Sequence, residues 1–195
     1  MRLCAPRRLS ALVLLLILVF MAGCGSDGPE PSQDPPETVD ELPELPRGWE
    51  PYVNHRAGFA LGRPPGWKAK AAGSSTLLTS PDRLVAVSVS ADRTNEAIDF
   101  PLDAYATGAV EALDGFEDLD AADPRPFEAH YDAVAVIASG ESEDGVRQRL
   151  EFIALRRDEI ATYAVLVARN IERESGFYAR EAGRMVRTLR GRPIG

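Results

Sequence analysis

Cys24 carries the best-defined chemistry in this chain. Its thiol follows Met21-Ala22-Gly23, an apolar run from Ala11 to Ala22, and a basic start at Arg2, Arg7 and Arg8. An ionised thiol is a strong nucleophile, and small residues before it let an extended backbone enter a peptidase cleft. The other cysteine, Cys4, lies upstream of that junction. A chain cut before Cys24 keeps no second thiol, which excludes a disulfide, a cysteine-based metal site and a further thiol nucleophile.

The remaining candidates each have a plainer alternative. His55 stands beside Asn54 and Arg56, and His130 beside Tyr131 and Asp132. A histidine and a carboxylate can move protons, but two histidines on separate loops read more simply as surface side chains. Ser139 and Ser142 sit near a hairpin with no G-x-S-x-G around them, so they read as turn formers. There is no P-loop and no G-x-G-x-x-G, hence no nucleotide site. Asp114, Glu117, Asp118, Asp120 and Asp123 lack the glycine and glutamate that an EF-hand needs. Those acids read as a solvated loop, and Glu141, Glu143 and Asp144 as a second acidic tip. No metal and no cofactor is expected. Arg180, Arg184, Arg187, Arg190 and Arg192 form the one basic cluster, suited to an anionic partner or lipid headgroups. The alternative is a solvated helix face with cations placed well at a helix C-terminus.

The order basic start, apolar run, small residues and cysteine resembles the bacterial lipobox, with Met21 where leucine is usual. The resemblance implies a signal segment over residues 1–23, a thioether from Cys24 to diacylglycerol, and cleavage that frees the Cys24 amine for a further acyl chain. Two or three chains would hold the protein stably at a membrane where one holds it only marginally. The expected location is the extracytoplasmic side of the cell envelope. The apolar run is shorter than the ~20 residues a spanning helix needs.

Formal charge is −8, and removal of the three arginines in residues 1–23 would leave −11. Such a protein is repelled from anionic membranes except through its lipid, and it lacks the basic surface that nucleic acid demands. Residues 24–48 read as a tether. They hold six prolines and seven acids against the single Arg47, too little apolar surface to fold alone. Residues 49–192 then make one domain of ordinary size.

Within it, Glu50–Asn54 and Phe59–Gly62 read as short strands around a turn at Arg56-Ala57-Gly58. A Pro-Pro-Gly turn precedes a strand from Trp67, and Thr76–Thr79 reads as another. Val85, Val87 and Val89 alternate with small residues in a clear strand. Leu102, Tyr105, Ala106, Val110 and Leu113 give one apolar helical face after Pro101, ended by Gly115. Ala133–Ser139, Val146–Leu155 and Ile160–Ala168 read as strands, the last apolar on both faces, with a hairpin at Asp144-Gly145. A helix from about Ser175 to Leu189 carries Tyr178, Ala182, Met185, Val186 and Leu189 on one side and Arg180, Arg184 and Arg187 opposite. Short turns imply antiparallel pairing, and a doubly apolar strand implies a sheet covered on both sides. The expectation is an α+β fold, an antiparallel β-sheet with helices on both faces.

Gly58-Phe59, Pro65-Gly66-Trp67, Ser80-Pro81-Asp82 and Tyr163 before a terminal amphipathic helix resemble the Mog1/PsbP-like superfamily over residues 49–190. The resemblance implies an α-β-α sandwich and a non-enzymatic accessory role, and it carries no functional residue over. The leading expectation is therefore a lipid-anchored interaction module with a protein partner. A second is a carrier or sensor of a small apolar ligand in a cavity lined by Leu102, Tyr105, Val110 and Tyr178. A third is a hydrolase, which needs His55 or His130 close to a serine and an acid.

Overall fold

The computed structural model describes residues 41–93, 100–158, 161–173 and 176–191. The signal segment, Cys24, the tether as far as residue 40, Ile160, Ser175 and Arg192 lie outside them.

The strands are β1 (Glu50–Asn54), β2 (Phe59–Arg63), β3 (Lys68–Ala72), β4 (Ser75–Thr79) and β5 (Val85–Arg93). Helix α1 (Leu102–Glu111) comes next, then β6 (Phe116–Ala121), β7 (Arg125–Pro126), β8 (Asp132–Ser142), β9 (Arg147–Asp158) and β10 (Ala161–Asn170). Helix α2 (Phe177–Arg187) and β11 (Arg190–Gly191) end the described chain. All pairings are antiparallel. A large sheet runs β3-β4-β5-β10-β9-β8-β6, with β7 also on β8, and a small sheet runs β1-β2-β11. The single sheet expected from the sequence is thus two, because the β1–β2 hairpin finds its third strand after α2, where Arg190 and Gly191 pair with Ala60 and Phe59.

Two expectations are corrected. The acids of Glu117–Asp123 were expected in a loop, yet Phe116–Ala121 form an edge strand whose register on β8 shifts between Glu117 and Asp120. Asp118 takes φ 49° there. Charges and irregularity suit an edge strand, which must discourage pairing with another chain. Helix α1 stops at Glu111, before Gly115, whose φ of 82° turns the chain into β6. The Asp144-Gly145 hairpin forms as read, with Gly145 at φ 75° and its N–H donating to the Ser142 carbonyl.

Strand β10 organises the core. Tyr163, Val165 and Val167 cluster with Val85, Val87 and Val89 of β5, Ile153 and Leu155 of β9, Phe59 and Leu61 of β2, and Ala182, Met185 and Val186 of α2. The alternate residues Ala164, Leu166 and Ala168 cluster with Leu150, Phe152 and Ala154 of β9, Val136 and Ala138 of β8, and Ala106 and Val110 of α1. Each large aliphatic side chain fully buried this way contributes about 1.5–3 kcal/mol.

A buried polar knot joins the two sheets. Asn54, at the end of β1, donates to the Thr76 hydroxyl (2.9 Å) and to the Ser75 carbonyl (3.3 Å) of β4, and accepts from the Ala57 N–H (2.9 Å). Thr188, just after α2, accepts from the Gly62 N–H (2.8 Å) and donates to the Met185 carbonyl (2.7 Å), tying the helix end to β2.

Candidate functional site

Helix α2 sorts its residues by solvent. Ala182, Met185 and Val186 are buried, while Arg180, Arg184 and Arg187 are exposed. Spacings of four and three put those arginines on one side of the helix. The Arg187 guanidinium lies 5.3 Å from the centre of the Phe127 ring. Among the described residues, no carboxylate lies within ion-pair distance of the three. The only acid in α2, Glu181, instead accepts from the Trp67 indole N–H at 2.9 Å. Phe177, at the start of α2, is 51% exposed. Arg190 does not share this surface. It is buried and donates to the carbonyls of Leu189 (2.8 Å) and Arg187 (3.3 Å), the second an acceptor the helix end leaves open.

The four residues expected to line one cavity do not come together. Leu102, Tyr105 and Val110 of α1 pack on the cluster that holds Phe152, with Tyr105 6.0 Å from Phe152 and stacked on Phe100 at 5.1 Å. Tyr178 belongs to α2 and meets Trp67 edge-on at 6.3 Å, in the other cluster. Alternate residues of β10 belong to these two clusters. A groove of about 350 Å³ does adjoin α1, lined by Leu102, Asp103, Pro124, Arg125, Pro126 and Val134. It shares only Leu102 with the expected set, and Arg125 beside it pairs with Glu151 at 3.2 Å.

A polar row invisible in the sequence crosses the large sheet near the start of α1. Asp92 of β5, Thr162 of β10, Arg156 of β9 and Asp132 of β8 are successive register partners. Arg156 donates to the Phe100 carbonyl and stands 5.5 Å from the Phe100 ring. The Thr162 hydroxyl is buried with no partner among the described residues, and so is Nε of Arg156. Burial, and after it the Asp92 carboxylate, raise the Tyr105 phenol above its ordinary 10.0. The available signal was four polar residues of like parity near strand ends, but register decides whether such residues meet.

The other candidates fall apart in space. His55 is exposed in the β1–β2 turn, and His130 is exposed and meets Tyr131 edge-on at 4.8 Å. Among the described residues, neither bonds to a serine or a carboxylate. Ser142 lies 2.6 Å from Asp144 and accepts from Gln148 at 3.3 Å, shaping the hairpin. No three His, Cys, Asp or Glu side chains gather as metal ligands among the described residues. None of the described helices is long and apolar enough to cross a membrane.

No known protein family and no curated protein matches the sequence. Similarity appears among solved structures. A protein from Bacteroides thetaiotaomicron superposes with a TM-score of 0.54 at 16% identity, over 76% of this chain and 50% of its own, so the chain spans half the length of that protein. The cyanobacterial PsbP (CyanoP) of Synechocystis sp. PCC 6803 superposes at 0.53 and 11% identity, over 76% of this chain and 95% of its own. The Saccharomyces cerevisiae Ran-binding protein Mog1p reaches 0.49 at 10% identity, over 72% and 94%. At these identities the likeness concerns fold alone, and the CyanoP superposition makes that fold PsbP-like.

Proposed function

We propose that this Mog1/PsbP-like chain is a membrane-anchored extracytoplasmic lipoprotein, a non-enzymatic accessory module that meets an anionic protein partner through the arginine face of α2. In its layers α1 and α2 take opposite faces of the large sheet, an α-β-α sandwich, which the division of β10 between two clusters supports. Residues 49–192 form the domain, residues 24–48 the tether, and Cys24 the lipid-bearing terminus after removal of residues 1–23.

The observation that carries the role is an exposed row, Arg180, Arg184 and Arg187, without a carboxylate partner among the described residues of a protein with net charge −8. Surface arginines of this kind recognise carboxylates and phosphates through a planar fork of donors. Crosslinking in intact cells should capture the partner from the native protein. Arg184→Glu with Arg187→Glu should abolish capture while circular dichroism stays unchanged; undiminished capture ends the reading. Separately, Cys24→Ala should move the protein out of the membrane fraction. Intact mass of the envelope-bound form should show residues 1–23 gone and acyl mass added.

A second reading, a carrier of a small apolar ligand, has its support in the groove beside Leu102 and Val134. Displacement of a fluorescent fatty acid, lost in Val134→Asp, tests it.

A further inference from the structure

We infer that the outer edge of β3 is a docking site for an extended acidic segment of another protein, which joins the large sheet as a further antiparallel strand with Asp or Glu at alternate positions. This goes beyond the reading above and stands without the lipid anchor or the arginine face of α2.

The first ground is that β3 is the open edge. Among the described edge strands, β1 carries Pro51, which has no N–H to offer, and β7 and β11 have two residues each. At the far end of the large sheet, β6 is interrupted by a register shift and by Asp118 at φ 49°. Strand β3 holds five residues in unbroken register on β4, with no proline and no positive φ. Lys68, Lys70, Ala71 and Ala72 are exposed along it. A regular, exposed edge is a template for another strand unless something guards it.

The second ground is which backbone groups face outward. The β3–β4 turn is Gly73-Ser74, with Gly73 at φ 59°. The residues flanking a two-residue turn, here Ala72 and Ser75, bond to each other across the hairpin, and bonding alternates from there. Lys70 and Lys68 therefore direct their N–H and C=O groups to β4. Ala69 and Ala71 turn theirs to the open side, where an incoming strand can bond to them.

The third ground is charge at the point of closest approach. Towards an incoming antiparallel strand, Lys68 and Lys70 occupy the positions without backbone bonds, where facing side chains stand nearest. A carboxylate opposite each is favoured and a cation disfavoured. Among the described residues, neither lysine has an ion-pair partner. Strand β4 carries no charge and β5 none before Asp92, so no acid on the adjoining strands competes. The same lysines disfavour a second copy as occupant. Antiparallel pairing of two β3 strands through all their outward groups sets Lys70 opposite Lys70. Ala69 and Ala71 are small and leave room opposite them for β-branched side chains, so the fitting segment alternates acidic and apolar residues.

The test adds a probe peptide, acetyl-Thr-Glu-Val-Glu-Val-Thr-amide, to the full chain in neutral detergent micelles and follows amide exchange with solvent by NMR. The Ala69 and Ala71 amides should exchange about tenfold more slowly once roughly nine in ten molecules carry peptide, because a paired amide exchanges only while the strand is off. The Lys68 and Lys70 amides, already bonded to β4, should not change. The same peptide with lysine at both glutamate positions should have no effect, and Lys68→Glu with Lys70→Glu should reverse the two preferences. Ala71→Pro deletes an outward donor where an edge strand tolerates proline. It should abolish the slowing while circular dichroism stays unchanged. Equal slowing by both peptides, slowing that survives the double charge reversal, no slowing by the acidic peptide at millimolar concentration, or binding confined to amides of α2 overturns the proposal. So does protection of Ala69 and Ala71 that grows with protein concentration alone, which would make a second copy the occupant.

Discussion

The Trp67 indole N–H donates to the Glu181 carboxylate at 2.9 Å, a bond between residues 114 apart in sequence. It pins the Pro-Gly-Trp turn to α2 and turns the only acid of that helix away from its arginines. Tyr178 supports the indole edge-on.

Trp67→Phe keeps an aromatic body and deletes this donor. The loss should be about 1–2 kcal/mol, as for a hydrogen bond to a charged group that is partly exposed. Urea unfolding measures it, and Glu181→Gln, which still offers an acceptor, should cost clearly less.

Asn54 closes the polar knot between the sheets with three hydrogen bonds. Asn54→Ala strands the Ala57 N–H in the interior and leaves the Thr76 hydroxyl with Tyr52 as its remaining partner. A loss of about 2 kcal/mol is expected from unsatisfied buried groups, read as a lowered urea midpoint with an unchanged slope.

Thr162 predicts the opposite sign. Its hydroxyl is buried and unpartnered among the described residues, so the methyl of Thr162→Val removes a desolvated polar atom at nearly constant volume. Stability should rise by about 1 kcal/mol. A clear fall would mean that the hydroxyl has a partner in solution.

Tyr105 makes stability depend on alkaline pH. Its folded phenol titrates above the ordinary 10.0, first through burial and then through Asp92. The unfolded chain therefore loses this proton first. The contribution is fully present below pH 10 and is lost as pH rises from there through the folded value. Tyr105→Phe should flatten the stability curve above pH 10 and leave neutral pH little changed. Asp92→Asn should lower the phenol's titration midpoint in ultraviolet absorbance.

Much of the scaffold was legible because burial leaves a period. Val85, Val87 and Val89 alternate, β10 is apolar at successive positions, and Ala182, Met185 and Val186 mark the inner side of α2. Where burial leaves no period, reading failed. The acids of β6 hid an edge strand, and the two residues of β11 are too few to show a pattern. The arginine row was legible because helical spacing alone fixes it. The row from Asp92 to Asp132 was not, since strand register comes from tertiary pairing. Hydrophobic spacing shows that Tyr178, like Leu102, Tyr105 and Val110, stands on the inner side of a helix, without showing which cluster that side joins.

Lys68 and Lys70, the only lysines in the chain, both stand exposed on β3, the outermost strand at one end of the large sheet. Amine-reactive chemistry is thereby confined to that strand and the α-amine. Biotinylation or coupling to a sensor chip through these two side chains would present the molecule in one uniform orientation.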